Sequence, residues 1–234
     1  MKPSLLRRAV AEFTGTLLLL ATVVGSGIMG ERLAGGIVAI ALLANTLATG
    51  AALIALILAL GPISGGHFNP VVTLADAWLR GMPWREVPAY IVAQVGGALA
   101  GVSIAHLMFG LAAFSISMHA RSGLALMFSE FVATFGLLAV IWGCSRARPT
   151  VVPFAVGAYI TAAYWFTAST SFANPAVTLA RCLSNTFAGI RPPDVPGFVI
   201  AQCAGALAAT LLIEWLYPRI AKNPPPVLVR INDQ

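Results

Sequence analysis

Two Asn-Pro pairs are the residues with the most chemistry to offer. Asn69-Pro70 and Asn174-Pro175 each open a short apolar stretch. Asparagine is a favoured helix N-cap. Proline fits the first helical position, where no amide hydrogen is needed. The side-chain oxygen of each Asn can accept from its own helix, which leaves the NH₂ to donate elsewhere. Each helix N-terminus also carries a positive partial charge. Two such ends meeting in a passage would repel cations and hold a central water between two donors, interrupting a proton-hopping wire. This is the chemistry of hydrogen bonding to a passing neutral molecule, not of bond making. No nucleophile–base set or metal cluster accompanies it. Cys144, Cys182 and Cys203 are odd in number and lack ligand or redox spacing, so they read as unpaired. His106 and His119 belong to no motif, and neither a metal nor a cofactor is expected.

The elements that must hold these pairs are membrane spans. The chain has 234 residues, of which 9% are charged, and its mean hydropathy is +0.87. A soluble domain carries roughly 25% charged residues, so the surroundings of this chain must be largely lipid. The net charge of +6 comes without a basic stripe interleaved with aromatics, which argues against nucleic acid. A bilayer core of about 30 Å needs roughly 20 apolar helical residues. Six segments qualify, at 9–29, 35–60, 87–110, 124–144, 151–170 and 196–217, and the two Asn-Pro stretches at 69–79 and 174–185 are half as long. The first run resembles a signal peptide but lacks a clear cleavage site, and more runs follow, so it is read as a span.

Basic residues orient the bundle. With the N-terminus inside, Lys2, Arg7, Arg8, Arg80, Arg85, Arg146, Arg148, Arg219, Lys222 and Arg230 fall on the cytoplasmic side, against Arg32, Arg121, Arg181 and Arg191 outside. Both termini are therefore expected in the cytoplasm, with 218–234 as a tail whose stretch 223–234, carrying Pro224, Pro225 and Pro226, is loose.

The sequence repeats itself. Ala11-Glu12-Phe13 matches Ser129-Glu130-Phe131. Asn69-Pro70-Val71-Val72-Thr73-Leu74-Ala75 matches Asn174-Pro175-Ala176-Val177-Thr178-Leu179-Ala180. Ala93-Gln94-Val95-Gly96-Gly97 matches Ala201-Gln202-Cys203-Ala204-Gly205. The order is preserved, giving repeat one over 9–110 and repeat two over 124–217 within a single domain, 1–234. Three spans per half force the second copy to enter from the other side. The repeats are inverted, a plan that puts the site near the midplane. Irregular backbone at that depth survives only inside protein or beside water, so Pro62–Phe68 and Ser169–Ala173 are expected to be re-entrant.

These residues resemble the aquaporin (major intrinsic protein) family across essentially the whole chain. The resemblance implies an all-α membrane protein with six transmembrane helices plus two re-entrant half helices. It also implies a right-handed bundle, one pore per subunit, a homotetramer, and a multi-pass place in the inner (plasma) membrane. The first box departs slightly, because Val71 stands where the family usually has Ala. The informative departure is Val177, where most members carry an arginine that donates to solutes and narrows the pore. By the family's spacing the other filter positions fall at Thr49, Ala162 and Ser171, none of them aromatic or charged. Such a ring should be wide, with two hydroxyls and two aliphatic groups, and should admit neutral polyols or metalloid hydroxides such as arsenous acid.

On a helix, positions i, i+3 and i+7 share a face, which groups Asn174, Val177 and Arg181, and Asn69, Val72 and Asp76. Asp76, Arg181 and His67 are therefore candidates for the two vestibules. Arg181 either guards the outer mouth or bonds loop carbonyls. Glu12 and Glu130 are repeat-related, and buried charge is costly unless satisfied. The resemblance gives each the role of accepting N–H groups from a re-entrant loop. Gly96, Gly97, Gly101 and Gly205 read as close helix contacts. The expected function is a channel for water and small neutral solutes. The alternatives are a water-selective channel, an anion pore and a coupled transporter, the last lacking any ionisable midplane group. A membrane enzyme would need a reactive set that is absent from the sequence.

Overall fold

The structure, a computed structural model, describes residues 3–217. Lys2, Arg219, Lys222, Arg230 and the rest of the expected tail lie outside the described residues. The chain forms α1 (Leu5–Leu33), α2 (Val38–Ser64), α3 (Pro70–Trp78), α4 (Val87–Met108), α5 (Leu124–Ala147), α6 (Val152–Phe166), α7 (Pro175–Arg181) and α8 (Val195–Leu216). The order long, long, short, long occurs twice, as the repeat requires. The fold is six spans plus two re-entrant half helices in an inverted repeat.

Five helices are long and apolar enough to cross a membrane on their own: α1, α2, α5, and α4 and α8 with their leading 3₁₀ turns. The sixth span is shorter than the expected 151–170. α6 has 15 residues, about 22 Å at 1.5 Å per residue. It stops because Thr167 leaves the helical region (φ −107°, ψ 135°), and the chain from there dips towards Asn174. The opposite deviation occurs in repeat one. The stretch expected to be irregular from Pro62 is helical to Ser64. Proline costs a helix one N–H and crowds the preceding turn, yet need not end it. Gly65 ends it instead, with φ 98° and its N–H on the Gly61 carbonyl at 2.8 Å, a left-handed cap that glycine accepts without strain.

Small residues let the repeats close. A Cβ on Gly97 would strike the Phe13 carbonyl oxygen, and one on Gly205 the Phe131 carbonyl oxygen. The α1–α4 and α5–α8 contacts are thus the same crossing made twice. Between the halves, α2 meets α6 where Gly50 and Gly157 face each other's carbonyls. In a bundle whose outer surface is lipid, close backbone packing of this kind supplies the cohesion that the hydrophobic effect does not.

Candidate functional site

The two half helices meet end to end. Asn69 Oδ1 accepts from the Val71 amide at 3.1 Å, and Asn174 Oδ1 from those of Ala176 and Val177 at 3.0 and 3.3 Å. Pro70 and Pro175 are the first helical residues. The Asn side chains then cross over. Asn69 Nδ2 donates to the Ala173 carbonyl at 2.8 Å, and Asn174 Nδ2 to the Phe68 carbonyl at 2.7 Å. The sequence reading left both NH₂ hydrogens to the passage, whereas one of each is committed to the opposite loop. The cause is the backbone just before each Asn. Phe68 and Ala173 both sit at φ 48°, which turns their carbonyls towards the other half. Left-handed geometry costs a non-glycine residue roughly 1–2 kcal/mol, so something must hold it.

Two buried carboxylates do. Glu12 accepts from the His67 amide (2.9 Å), the Phe68 amide (2.7 Å), Ser64 Oγ (2.6 Å) and Gln94 Nε2 (2.8 Å). Glu130 accepts from the Phe172 amide (2.8 Å), the Ala173 amide (2.9 Å) and Gln202 Nε2 (2.6 Å). Each hydrogen bond to an ionised group contributes about 1.5–3 kcal/mol, enough to outweigh the loop strain. Each glutamine's second N–H goes to a threonine of the half helix, Gln94 to Thr73 Oγ1 at 2.9 Å and Gln202 to Thr178 Oγ1 at 2.8 Å. Those threonines in turn donate to the Asn69 and Asn174 carbonyls. The sequence reading named the glutamates and missed Gln94, Gln202, Thr73 and Thr178. Their signal was present, because all four lie in the matched repeat segments.

A cavity of about 60 Å³ runs past both Asn residues, room for a few waters. One wall is aliphatic, with Leu19, Leu53, Ile57, Ile141, Val156 and Ile160 among its residues. The other carries the polar line: His67 and Asn69 with Val72 towards one mouth, Asn174, Ser171 and Thr49 with Val177 towards the other. Ser171 Oγ is buried and has no hydrogen-bond partner among the described residues. Val71 and Ala176 lie away from this lining, buried behind their half helices.

Three of the four expected filter residues therefore meet. Ala162 does not, for it is exposed on the outside of α6. Two residues along a helix is a turn of about 200°, so Ala162 points away from the face of Ile160. Tyr164, about one turn past Ile160, packs behind that face. It is 3% exposed, and its hydroxyl donates to Thr49 Oγ1 at 3.3 Å. Counting back from Asn174 by the family's spacing assumed a fixed loop length, and the early end of α6 breaks that assumption. An aromatic ring thus backs the outer constriction by way of Thr49, although the cavity wall itself is formed by Thr49, Ser171 and Val177.

The vestibules are more tightly bonded than expected. Arg181 is buried, its Nε donates to the Ala188 carbonyl, and its guanidinium lies 3.3 Å from the Phe172 ring centre. Arg121, which the sequence reading treated only as an outside charge, reaches in from the 109–123 connection. Its Nε donates to the Gly189 carbonyl (2.8 Å) and its Nη1 to the Ser169 carbonyl (3.2 Å). Burial pushes its pKa below the usual guanidinium value. Burial, and then the charges of Arg121 and Arg181, also hold His119 below the ordinary histidine range. At the other mouth His67 Nδ1 lies 3.0 Å from Thr73 Oγ1, and His67 Nε2 lies 3.7 Å from Asp76 Oδ2. Among the described residues no group of His, Cys, Asp and Glu could hold a metal, and the three cysteines are free.

Comparison with known proteins gives the same picture. The family model described as "Major intrinsic protein" matches residues 1–171 and 146–230. A protein of Rhizobium meliloti (strain 1021), "Aquaglyceroporin AqpS", is 57% identical over 212 residues, covering 91% of each chain. "Aquaporin NIP1-1" of Oryza sativa subsp. japonica is 36% identical over 72% of this chain and 59% of its own length. Among solved structures, the aquaglyceroporin from Plasmodium falciparum matches with a TM-score of 0.73 at 21% identity, covering 92% of this chain and 98% of that one, a likeness of fold.

Proposed function

Because this chain belongs to the major intrinsic protein family, we propose that it works as a passive channel for water and small neutral solutes, including polyols such as glycerol and metalloid hydroxides such as arsenous acid. It is a multi-pass membrane channel and not an enzyme.

The observation that carries the solute range is the mixed character of the constriction. Val177 and Ile160 offer apolar surface, while Thr49 and Ser171 offer hydroxyls, and Ser171 Oγ is buried without a partner among the described residues. A polyol can lay its carbon edge on the first and bond its hydroxyls to the second. A neutral metalloid hydroxide presents the same groups. Each Asn amide keeps one hydrogen to hand the solute on at the midplane. The relative named an aquaglyceroporin supports this reading. The working unit is a homotetramer of single-domain subunits in the plasma membrane, with both termini cytoplasmic.

The small cavity volume, about 60 Å³, also favours a second reading, a channel narrowed to water. A proteoliposome swelling panel with water, glycerol, urea and arsenous acid separates the two. The proposal expects glycerol and arsenous acid to enter downhill, with flux linear in their gradient. Swelling with water alone establishes the second reading. Solute rates equal to those of empty vesicles overturn the proposed solute range.

A further inference from the structure

Behind the inner half helix lies a second groove, separate from the pore. It is lined by Val71, Leu74 and Trp78 of α3, Trp84 of the following turn, and Cys203 and Thr210 of α8, and its volume is about 170 Å³. Its walls are almost entirely apolar. Cys203 and Thr210 are seven residues apart on one helix, so the groove runs roughly 10 Å along α8. The two ends differ. Val71 marks the deep end, because it is the second residue of the helix that starts at the meeting point of the two halves. Trp78 and Trp84, both about half exposed, mark the shallow end, and tryptophan prefers the boundary between lipid and water. The Trp78 indole is fixed there by Glu214 Oε2 at 3.2 Å. Beside these tryptophans in the chain stand Arg80 and Arg85, both exposed. Among the described residues neither pairs with a carboxylate.

We propose that this groove binds one acyl chain of an anionic phospholipid, drawn from the leaflet on the side of the chain termini, with its phosphate on Arg80 and Arg85. The groove runs along about 10 Å of the roughly 15 Å apolar depth of that leaflet. It opens at the boundary and ends near the midplane, where chains of that leaflet end. The charge fits as well. A second copy of this chain would bring its own net +6 towards the two arginines, whereas an anionic headgroup complements them. The site has a consequence for the pore. α3 has 9 residues; Val71 and Leu74 face the groove while Asn69 and Val72 face the channel. A lipid chain in the groove braces the half helix from behind.

The test uses the full chain in proteoliposomes containing a phosphatidylglycerol with a photoreactive diazirine on its acyl chain. Cross-links are mapped by peptide mass spectrometry. Adducts should concentrate on residues 70–84 and 203–210, and unlabelled phosphatidylglycerol should compete several-fold better than phosphatidylcholine. Cys203→Phe, on an exposed position that fills the deep end, should remove most groove adducts while adducts elsewhere on the lipid-facing surface persist. Those remaining adducts report that the variant has folded. Arg80→Ala with Arg85→Ala should abolish the headgroup preference. Adducts spread evenly over all outward faces would overturn the site, as would groove adducts insensitive to Cys203→Phe. A cross-link joining Cys203 to a second copy of the chain would assign the groove to a subunit interface instead.

Discussion

The Tyr164 hydroxyl donates to Thr49 Oγ1 across 3.3 Å, tying α6 to α2 at the outer end of the cavity. The bond holds an aromatic ring where the family's spacing would put Ala162. Removing the ring should free the cavity-lining Thr49 and widen the passage, whereas removing only the hydroxyl leaves the ring packed behind it.

Tyr164→Ala should therefore raise the ratio of glycerol to water permeability in matched vesicles. Tyr164→Phe keeps the ring and loses one hydrogen bond, worth about 1 kcal/mol, so it should leave that ratio near wild type with a slightly lower melting temperature. A Tyr164→Ala protein with unchanged solute ratios would show that the ring does not hold the constriction in place.

Glu12 and Glu130 act as scaffold. Gln at either position keeps the shape but substitutes an NH₂ for one acceptor, setting donor against donor where loop amides converge. Loss of one charge-assisted bond costs about 1.5–3 kcal/mol. Folded yield and thermal stability should fall, while flux per folded channel stays near normal. Full stability with abolished conductance would instead assign these acids to the transport path.

The Asn-Pro half helices were legible in the sequence because the motif occurs twice, and a doubled motif fixes both elements and their relation; the pairing of Glu12 and Glu130 with the loops came from the family resemblance. The exchange of Asn69 and Asn174 with the opposite loops was not legible. It depends on the carbonyl directions of Phe68 and Ala173, which backbone angles set and residue types do not announce. Ala162 failed for a related reason. A filter position on α6 follows from the helical phase of Val156 and Ile160, which a count of residues through an irregular loop cannot carry. Arg121 lies in a connection without periodicity, and only the folded chain brings it to Ser169.

Gly97 and Gly205 should tolerate no side chain. A Cβ at either meets a carbonyl oxygen of the facing helix, and forcing such contacts apart costs about 1–3 kcal/mol. Gly97→Ala and Gly205→Ala should lower the yield of folded protein in detergent. Gly143→Ala is the control, since nothing lies within 4 Å of its added Cβ. Equal thermal stability of all three variants would remove these crossings from the account of the fold.

Water should pass without protons. A water between Asn69 and Asn174 accepts from the hydrogen each amide still has free, so its own hydrogens turn outward along the pore and the wire is broken. In proteoliposomes under an inward proton gradient, a trapped pH dye should respond no faster than in empty vesicles. A proton flux that scales with the water flux would contradict this arrangement.

Val177→Arg tests the constriction from the other wall. Val177 is buried, lines the cavity and is three residues past Asn174, so a longer side chain there enters the passage. Arginine brings five N–H donors in a rigid fork. Two guanidinium groups, Arg121 and Arg181, already occupy the carbonyls of Ser169, Gly189 and Ala188. The new charge would find those acceptors taken and would face the lumen, where pore water solvates it. Water should still pass, while glycerol and arsenous acid should slow sharply. Misfolding is the competing cause of a lower flux, because a charge driven towards lipid costs roughly 2.5–3.5 kcal/mol on insertion scales. Water permeability per folded channel separates the two, since a misfolded protein loses both fluxes together. The glycerol-to-water ratio is the readout. A well-folded Val177→Arg channel with the wild-type ratio would mean that Val177 does not limit the size of what passes.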